Sequence, residues 1–71
     1  MDRPLTEIIK GKWRLLAGLA QIVWDELTLD ELLKSDGDLD KLTHLVQKRY
    51  DMTHDQAHKQ IVSFFERHRT T

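Results

Sequence analysis

The sequence predicts a small all-α protein, a four-helix bundle made of two packed α-hairpins. The chain has 71 residues with one proline and three glycines, and β-branched residues are few, a composition typical of helical proteins. A Thr-x-x-Glu pattern at Thr28 and Glu31 recurs as Thr53 and Gln56, so two similar joints divide the chain. We therefore expect one helical domain over residues 1–71, with its core between about residues 5 and 68.

The first predicted helix is the longest and runs from about Leu5 to Glu26. Helical spacing gives it one apolar stripe that should face the core, formed by Ile9, Trp13, Leu16, Ala20, Trp24 and Leu27. A second apolar stripe, roughly 130° around the helix, is formed by Ile8, Leu15, Leu19 and Ile22. Together the two stripes exceed the apolar surface that a helix in so small a bundle needs to bury.

The second stripe has two interpretations. In the first, the bundle buries both stripes by placing the first helix between the two hairpins. In the second, the stripe stays exposed and forms a surface for self-association or for a protein partner. We favour the second interpretation, because a chain of this length can build only a thin core.

Each of the two joints is predicted to start a helix with a capping box. The Thr28 hydroxyl would accept a backbone N–H of the first turn, and Glu31 would reach back to the Thr28 N–H. Thr53 and Gln56 repeat this arrangement before the fourth helix. The repeat therefore indicates two copies of one structural joint rather than two halves of a chemical site.

The other three predicted helices are shorter than the first. The second ends near Ser35, the third extends from about Asp38 to Tyr50, and the fourth reaches about His68. Apolar residues at helical spacing complete the predicted core, namely Leu42, Val46, Tyr50, Ala57, Ile61 and Phe64.

The sequence does not favour an enzyme. The absence of cysteine excludes disulfides, thiolate zinc sites and cysteine nucleophiles. Ser35 and Ser63 lie in no nucleophile motif, and no glycine-rich phosphate loop is present. Because a domain of this size also has little room for a substrate cavity, we expect no catalytic residues, no cofactor and no small-molecule substrate.

Two patterns suggest a metal site only superficially. The segment "DGDLD" (36–40) resembles the start of a calcium loop, but Lys41 and Gln47 occupy the positions that require glycine and glutamate. His54 and His58 lie one helical turn apart, yet the sequence supplies no third ligand for a metal. We expect a helix-capping turn and a solvated histidine pair.

Nucleic acid and membrane are weaker candidates than protein. Lys10 and Arg14 share one side of the first helix, but the net charge of −1 argues against a general nucleic-acid binder. The apolar run from Leu15 to Trp24 is too short to span a bilayer. Nucleic-acid binding and association of the first helix with a membrane surface remain alternatives.

Four segments carry a family pattern, namely "GKWRLLAG" (11–18), "WDELT" (24–28), "LDKLTHLVQKRY" (39–50) and "DQAHKQIVSFF" (55–65). Their most specific residues are Trp13, Trp24, Gln47, Arg49 and Tyr50. Together they resemble the CsbD-like family of small bacterial stress proteins. The resemblance implies a SAM-domain-like arrangement of four helices and a cytoplasmic bacterial protein associated with general stress. The family has no established chemistry, so the resemblance implies no catalytic residues.

This sequence departs from the family pattern in two places. Leu19, Ile22 and Val23 fill positions that are usually polar, and Asp51 replaces the usual glycine after the tyrosine. The apolar residues support the interpretation of the first helix as a contact surface. The resulting hypothesis is a non-enzymatic stress-response protein acting through protein contacts or self-association, and stress-associated nucleic-acid binding is its alternative.

Overall fold

The structure, a computed structural model, describes residues 4–70, and the regular secondary structure within that range is all α-helix. Its five helices are α1 (Leu5–Gly11), α2 (Trp13–Val23), α3 (Leu29–Ser35), α4 (Leu39–Arg49) and α5 (His54–Arg67). The predicted all-α class is confirmed. Packing is closest between α4 and α5 and between α2 and α3, while α1 lies against α5.

The prediction of one continuous first helix was wrong. The chain turns at Lys12, whose φ and ψ are −125° and 21°, and α2 ends at Val23 rather than Glu26. Gly11 weakens the helix at this point, since a glycine disfavours helix by about 1 kcal/mol relative to alanine. Tertiary contacts then decide the path, because the turn lets α1 pack on α5 while α2 packs on α3. The helices in residues 4–70 therefore number five rather than four.

The core runs through the middle of the molecule and contains aromatic residues from both the N-terminal and the C-terminal half of the chain. The Trp13 and Phe65 rings meet edge to face with centroids 6.4 Å apart, and those of Trp24 and Phe64 are 5.2 Å apart. Among the predicted core residues Tyr50 alone is half-buried. The others are buried, namely Ile9, Trp13, Leu16, Ala20, Trp24, Leu27, Leu42, Val46, Ala57, Ile61 and Phe64.

Both predicted joints contain a capping box. The Thr28 hydroxyl accepts the Glu31 N–H at 3.1 Å, and the Glu31 carboxylate accepts the Thr28 N–H at 3.0 Å. Thr53 and Gln56 form the same pair of bonds, at 3.2 and 3.1 Å. Each box satisfies backbone donors that a helix start would otherwise leave free.

The turn between α3 and α4 fits closely beneath the α1–α2 turn. Asp36 and Gly37 are both left-handed, with φ of 56° and 71°. A Cβ on Gly37 would lie only 3.3 Å from the Lys10 Cα and from two Trp13 side-chain carbons. Glycine is thus needed at position 37 both for its backbone conformation and for its lack of a side chain.

Candidate interaction surface

The outer side of α2 is apolar and exposed. Its inner side buries Trp13, Leu16, Ala17 and Ala20 at helical spacing. On the opposite side Leu15 is 62% exposed, Ile22 77% and Val23 51%. Large apolar side chains that are adjacent on one helix and exposed to this degree form a contiguous patch, which is typical of an interaction site.

The predicted second stripe is only partly exposed. Leu15 and Ile22 are open to solvent, whereas Leu19 is half-buried and packs against the edge of the core. Ile8 is also half-buried and lies on α1, across the turn at Lys12. We define the α2 face as Leu15, Gly18, Ile22 and Val23, with Leu19 at its edge.

The loop after α2 is held by the end of α4. The Arg49 guanidinium donates to the Glu26 carbonyl oxygen and forms an ion pair with Glu31 at 2.6 Å. The Tyr50 hydroxyl accepts the Glu26 N–H at 3.0 Å and lies 3.4 Å from an Asp25 carboxylate oxygen. The Arg-Tyr pair therefore fixes the C-terminal end of the α2 face relative to the rest of the fold. The sequence placed this pair at a helix end but gave no signal for its partners, which lie far away along the chain.

Glu31 is more acidic in the folded state than an ordinary glutamate. The backbone hydrogen bond from Thr28 is the main reason that its pKa is lowered, and the Arg49 guanidinium lowers it further. Both interactions stabilise the carboxylate form. The lowered pKa is therefore explained by the structural role of Glu31, which is part of a helix cap and of a loop anchor.

The tryptophan side chains are anchored as well as buried. The Trp13 indole N–H donates to the Leu32 carbonyl oxygen at 2.6 Å, and the Trp24 indole N–H donates to the Gln60 side-chain oxygen at 3.0 Å. The first bond joins α2 to α3, and the second joins the residue that follows α2 to α5. The two aromatic residues thus set the orientation of α2 and leave its outer side free.

An open groove of about 570 Å³ lies beside the C-terminal end of the α2 face. Val23, Trp24, Met52 and Phe64 supply apolar lining, and Lys59 lies among the polar residues along it. The volume falls within the usual range for ligand sites. Exposed Val23 belongs both to this lining and to the α2 face.

The histidine pair and the acidic turn do not assemble a metal site within residues 4–70. The rings of His54 and His58 stack with centroids 5.8 Å apart. Nowhere in this range do three histidine or carboxylate side chains converge as metal ligands would. In the "DGDLD" segment, Asp38 accepts the Lys41 N–H and caps α4.

Several cations that could attract nucleic acid are paired with carboxylates. Arg49 is bound to Glu31, and Arg69 lies 3.3 Å from Glu66. Lys10 is 4.0 Å from Asp38. Pairing of this kind reduces the positive potential available for phosphate. Over residues 4–70, no helix combines the length and apolar character needed to cross a membrane.

Known proteins of bacteria match the chain over most of its length. A UPF0337 protein of Bordetella pertussis is 43% identical over 61 residues, which cover 86% of this chain and 92% of that protein. A UPF0337 protein of Pseudomonas aeruginosa is 34% identical over 62 residues, or 87% and 95% of the two chains. The UPF0337 protein YjbJ of Escherichia coli K12 is 33% identical over 54 residues, or 76% and 78%.

No family model and no solved structure matches the sequence. The matches to the bacterial proteins nevertheless cover most of each chain. The chain therefore belongs to the UPF0337 family, the CsbD-like proteins.

Proposed function

We propose that this protein is a non-enzymatic, stress-associated protein of the bacterial cytoplasm that acts through protein contacts made by the α2 face. The observation that carries the proposal is the exposure of Leu15 and Ile22, at 62% and 77%, on a helix whose opposite side is fully used by the core. Burial of a large aliphatic side chain is favourable by about 1.5–3 kcal/mol. A partner that covers this face would recover that free energy.

The surroundings of the face support protein binding over catalysis. Asp38 of the acidic turn caps a helix, and the Arg49–Glu31 pair anchors a loop. Each of these polar groups has a structural explanation. The part in stress and the cytoplasmic location rest on the CsbD-like resemblance, as does the SAM-domain-like arrangement proposed for the helices.

Site-specific photo-crosslinking in living cells tests the proposal. A photo-reactive residue at Leu15 samples the α2 face, and the same residue at Lys48, exposed on α4, is the control. We expect a discrete crosslinked protein band from position 15, stronger under general stress, that position 48 does not give. Ile22→Glu should remove the band, whereas His44→Glu, which makes the same charge change at an exposed site on α4, should leave it.

Equal labelling from positions 15 and 48 would refute the proposal. Glutamate at position 22 projects into solvent in the free protein, because the native side chain is already 77% exposed. The variant is therefore expected to fold, which far-UV circular dichroism checks. Half-buried Leu19 is unsuitable for the same purpose, because a charge there would also disturb packing at the core edge.

A further inference from the structure

The α2 face is self-complementary in shape. Within α2, Leu15, Gly18 and Ile22 are spaced by three and four residues, a spacing that aligns side chains along one side of a helix. Leu15 and Ile22 protrude from this side, and Gly18 leaves a gap between them.

Nothing within residues 4–70 explains why position 18 is glycine. A Cβ there would meet no atom within 4 Å, and the backbone is ordinary helix. Glycine inside an exposed helix is destabilising relative to alanine. The same open space surrounds Gly11, the last residue of α1. A contact with another molecule at close range is a reason to lack a side chain at such a position.

Resting on the proposed function, we infer that the partner of the α2 face is a second copy of this chain, packed antiparallel through α2. An antiparallel pair centred between residues 16 and 17 places Leu15 of each copy opposite Gly18 of the other. It also places Ile22 opposite the α1–α2 turn, where Gly11 leaves room. Each protruding side chain thus enters a gap, which is how closely packed helices interlock.

Charge favours the same orientation. Arg14 lies near the N-terminal end of α2, and Asp25 and Glu26 follow its C-terminal end. Lys10 and Lys12 already have partners within the chain, the Asp38 carboxylate and the Arg69 carbonyl oxygen. An antiparallel pair brings the basic end of each copy to the acidic end of the other, and it sets opposite ends of the two helix dipoles side by side. A parallel pair would instead bring basic end to basic end and glycine to glycine. The apolar surface involved is small, so we expect a weak dimer that forms in the micromolar range.

Disulfide trapping tests the register, and the native chain has no cysteine to interfere. Leu15→Cys and Gly18→Cys are prepared separately, mixed and oxidised slowly. The antiparallel pair predicts that the mixed 15–18 disulfide forms faster than either homodimer and faster than a pairing with a Lys48→Cys control. Faster 15–15 and 18–18 products would overturn the inference, as would rates equal to those of the control.

Filling the gap at Gly18 with a large side chain gives an independent test, in which self-association is measured by light scattering. Gly18→Leu makes the face more apolar but removes the space for Leu15 of the second copy. We expect it to weaken self-association by roughly tenfold or more, the size of effect that overpacking produces. The open surroundings of Gly18 leave the monomer fold intact. Self-association that is unchanged or stronger in this variant would refute the interlocked pairing.

Failure of the inference is distinguishable from failure of the proposed function. A photo-crosslink from position 15 to a different protein, with no 15–18 disulfide, would overturn the second copy as partner and leave the proposed function supported. An absence of any specific crosslink from position 15 would overturn both.

Discussion

Replacing Gly37 by alanine is expected to destabilise the domain by about 1–3 kcal/mol. The residue has φ of +71°, where an L-residue costs roughly 1–2 kcal/mol more than glycine. The new Cβ would also lie 3.3 Å from the Lys10 Cα and from the Cβ and Cγ of Trp13. Neither neighbour can swing aside easily, because one is backbone and the other is a side chain only 2% exposed.

The loss is large relative to what a chain of this size possesses, since small single cores supply about 3–5 kcal/mol. Chemical denaturation followed by far-UV circular dichroism measures it as a free energy of unfolding. In a thermal scan, each kcal/mol lowers the Tm of such a domain by about 4–8 °C.

Gly18→Ala is the matched control, since the same substitution there meets open space and ordinary helical backbone. It should raise the free energy of unfolding by about 0.5–1 kcal/mol. Both variants are measured at low protein concentration, where self-association does not contribute. A Gly37→Ala protein as stable as the unchanged chain would refute the close packing of this turn under α1 and α2.

Three further outcomes follow from the joints and turns. Thr28→Ala removes half of a capping box and should lower the free energy of unfolding by about 1 kcal/mol. It should not change photo-crosslinking from position 15. A loss of crosslinking would show that the joint belongs to the contact surface. The lowered pKa of Glu31 predicts stabilisation that is present above the ordinary glutamate pKa and disappears as the pH falls through its folded value. The stability difference between the unchanged chain and Glu31→Gln should therefore shrink on acidification. A difference independent of pH would exclude the ionised Glu31 carboxylate as the source of this stabilisation. Asp51 has φ of 53°, so Asp51→Gly should stabilise the domain by roughly 1 kcal/mol; a lower urea midpoint would contradict this.

Local features of the fold were predictable from the sequence because their partners are neighbours in the chain. The Thr28–Glu31 and Thr53–Gln56 boxes need only residues three positions apart. Helical periodicity also identified the buried side of α2, since that side repeats with the helical turn.

The break at Lys12 could not be predicted from periodicity. Ile9 and Trp13 fit one stripe of a continuous helix, and both are buried, although they belong to different helices. What ends α1 is the geometry of packing, because α1 contacts α5 and α2 contacts α3. These contacts join distant parts of the chain and leave no local pattern apart from Gly11.

The candidate surface was predicted in outline but not in extent. The sequence showed more apolar surface on the first helix than a small core requires, and Leu15 and Ile22 are indeed exposed. Ile8 and Leu19 are partly covered, because the turn at Lys12 redirects α1 and the core reaches Leu19. The open space around Gly18 depends on how the helices pack, so it could not be predicted from the sequence.

The mass of the protein as a function of its concentration tests most directly whether the α2 face binds a second copy. Sedimentation equilibrium of the unchanged chain should show the 8.4 kDa monomer when dilute and approach twice that mass in the high micromolar range. Ile22→Glu should remain monomeric at every concentration, and His44→Glu should behave as the unchanged chain does. A monomer throughout, with all three proteins indistinguishable, would contradict the pairing of α2 with itself.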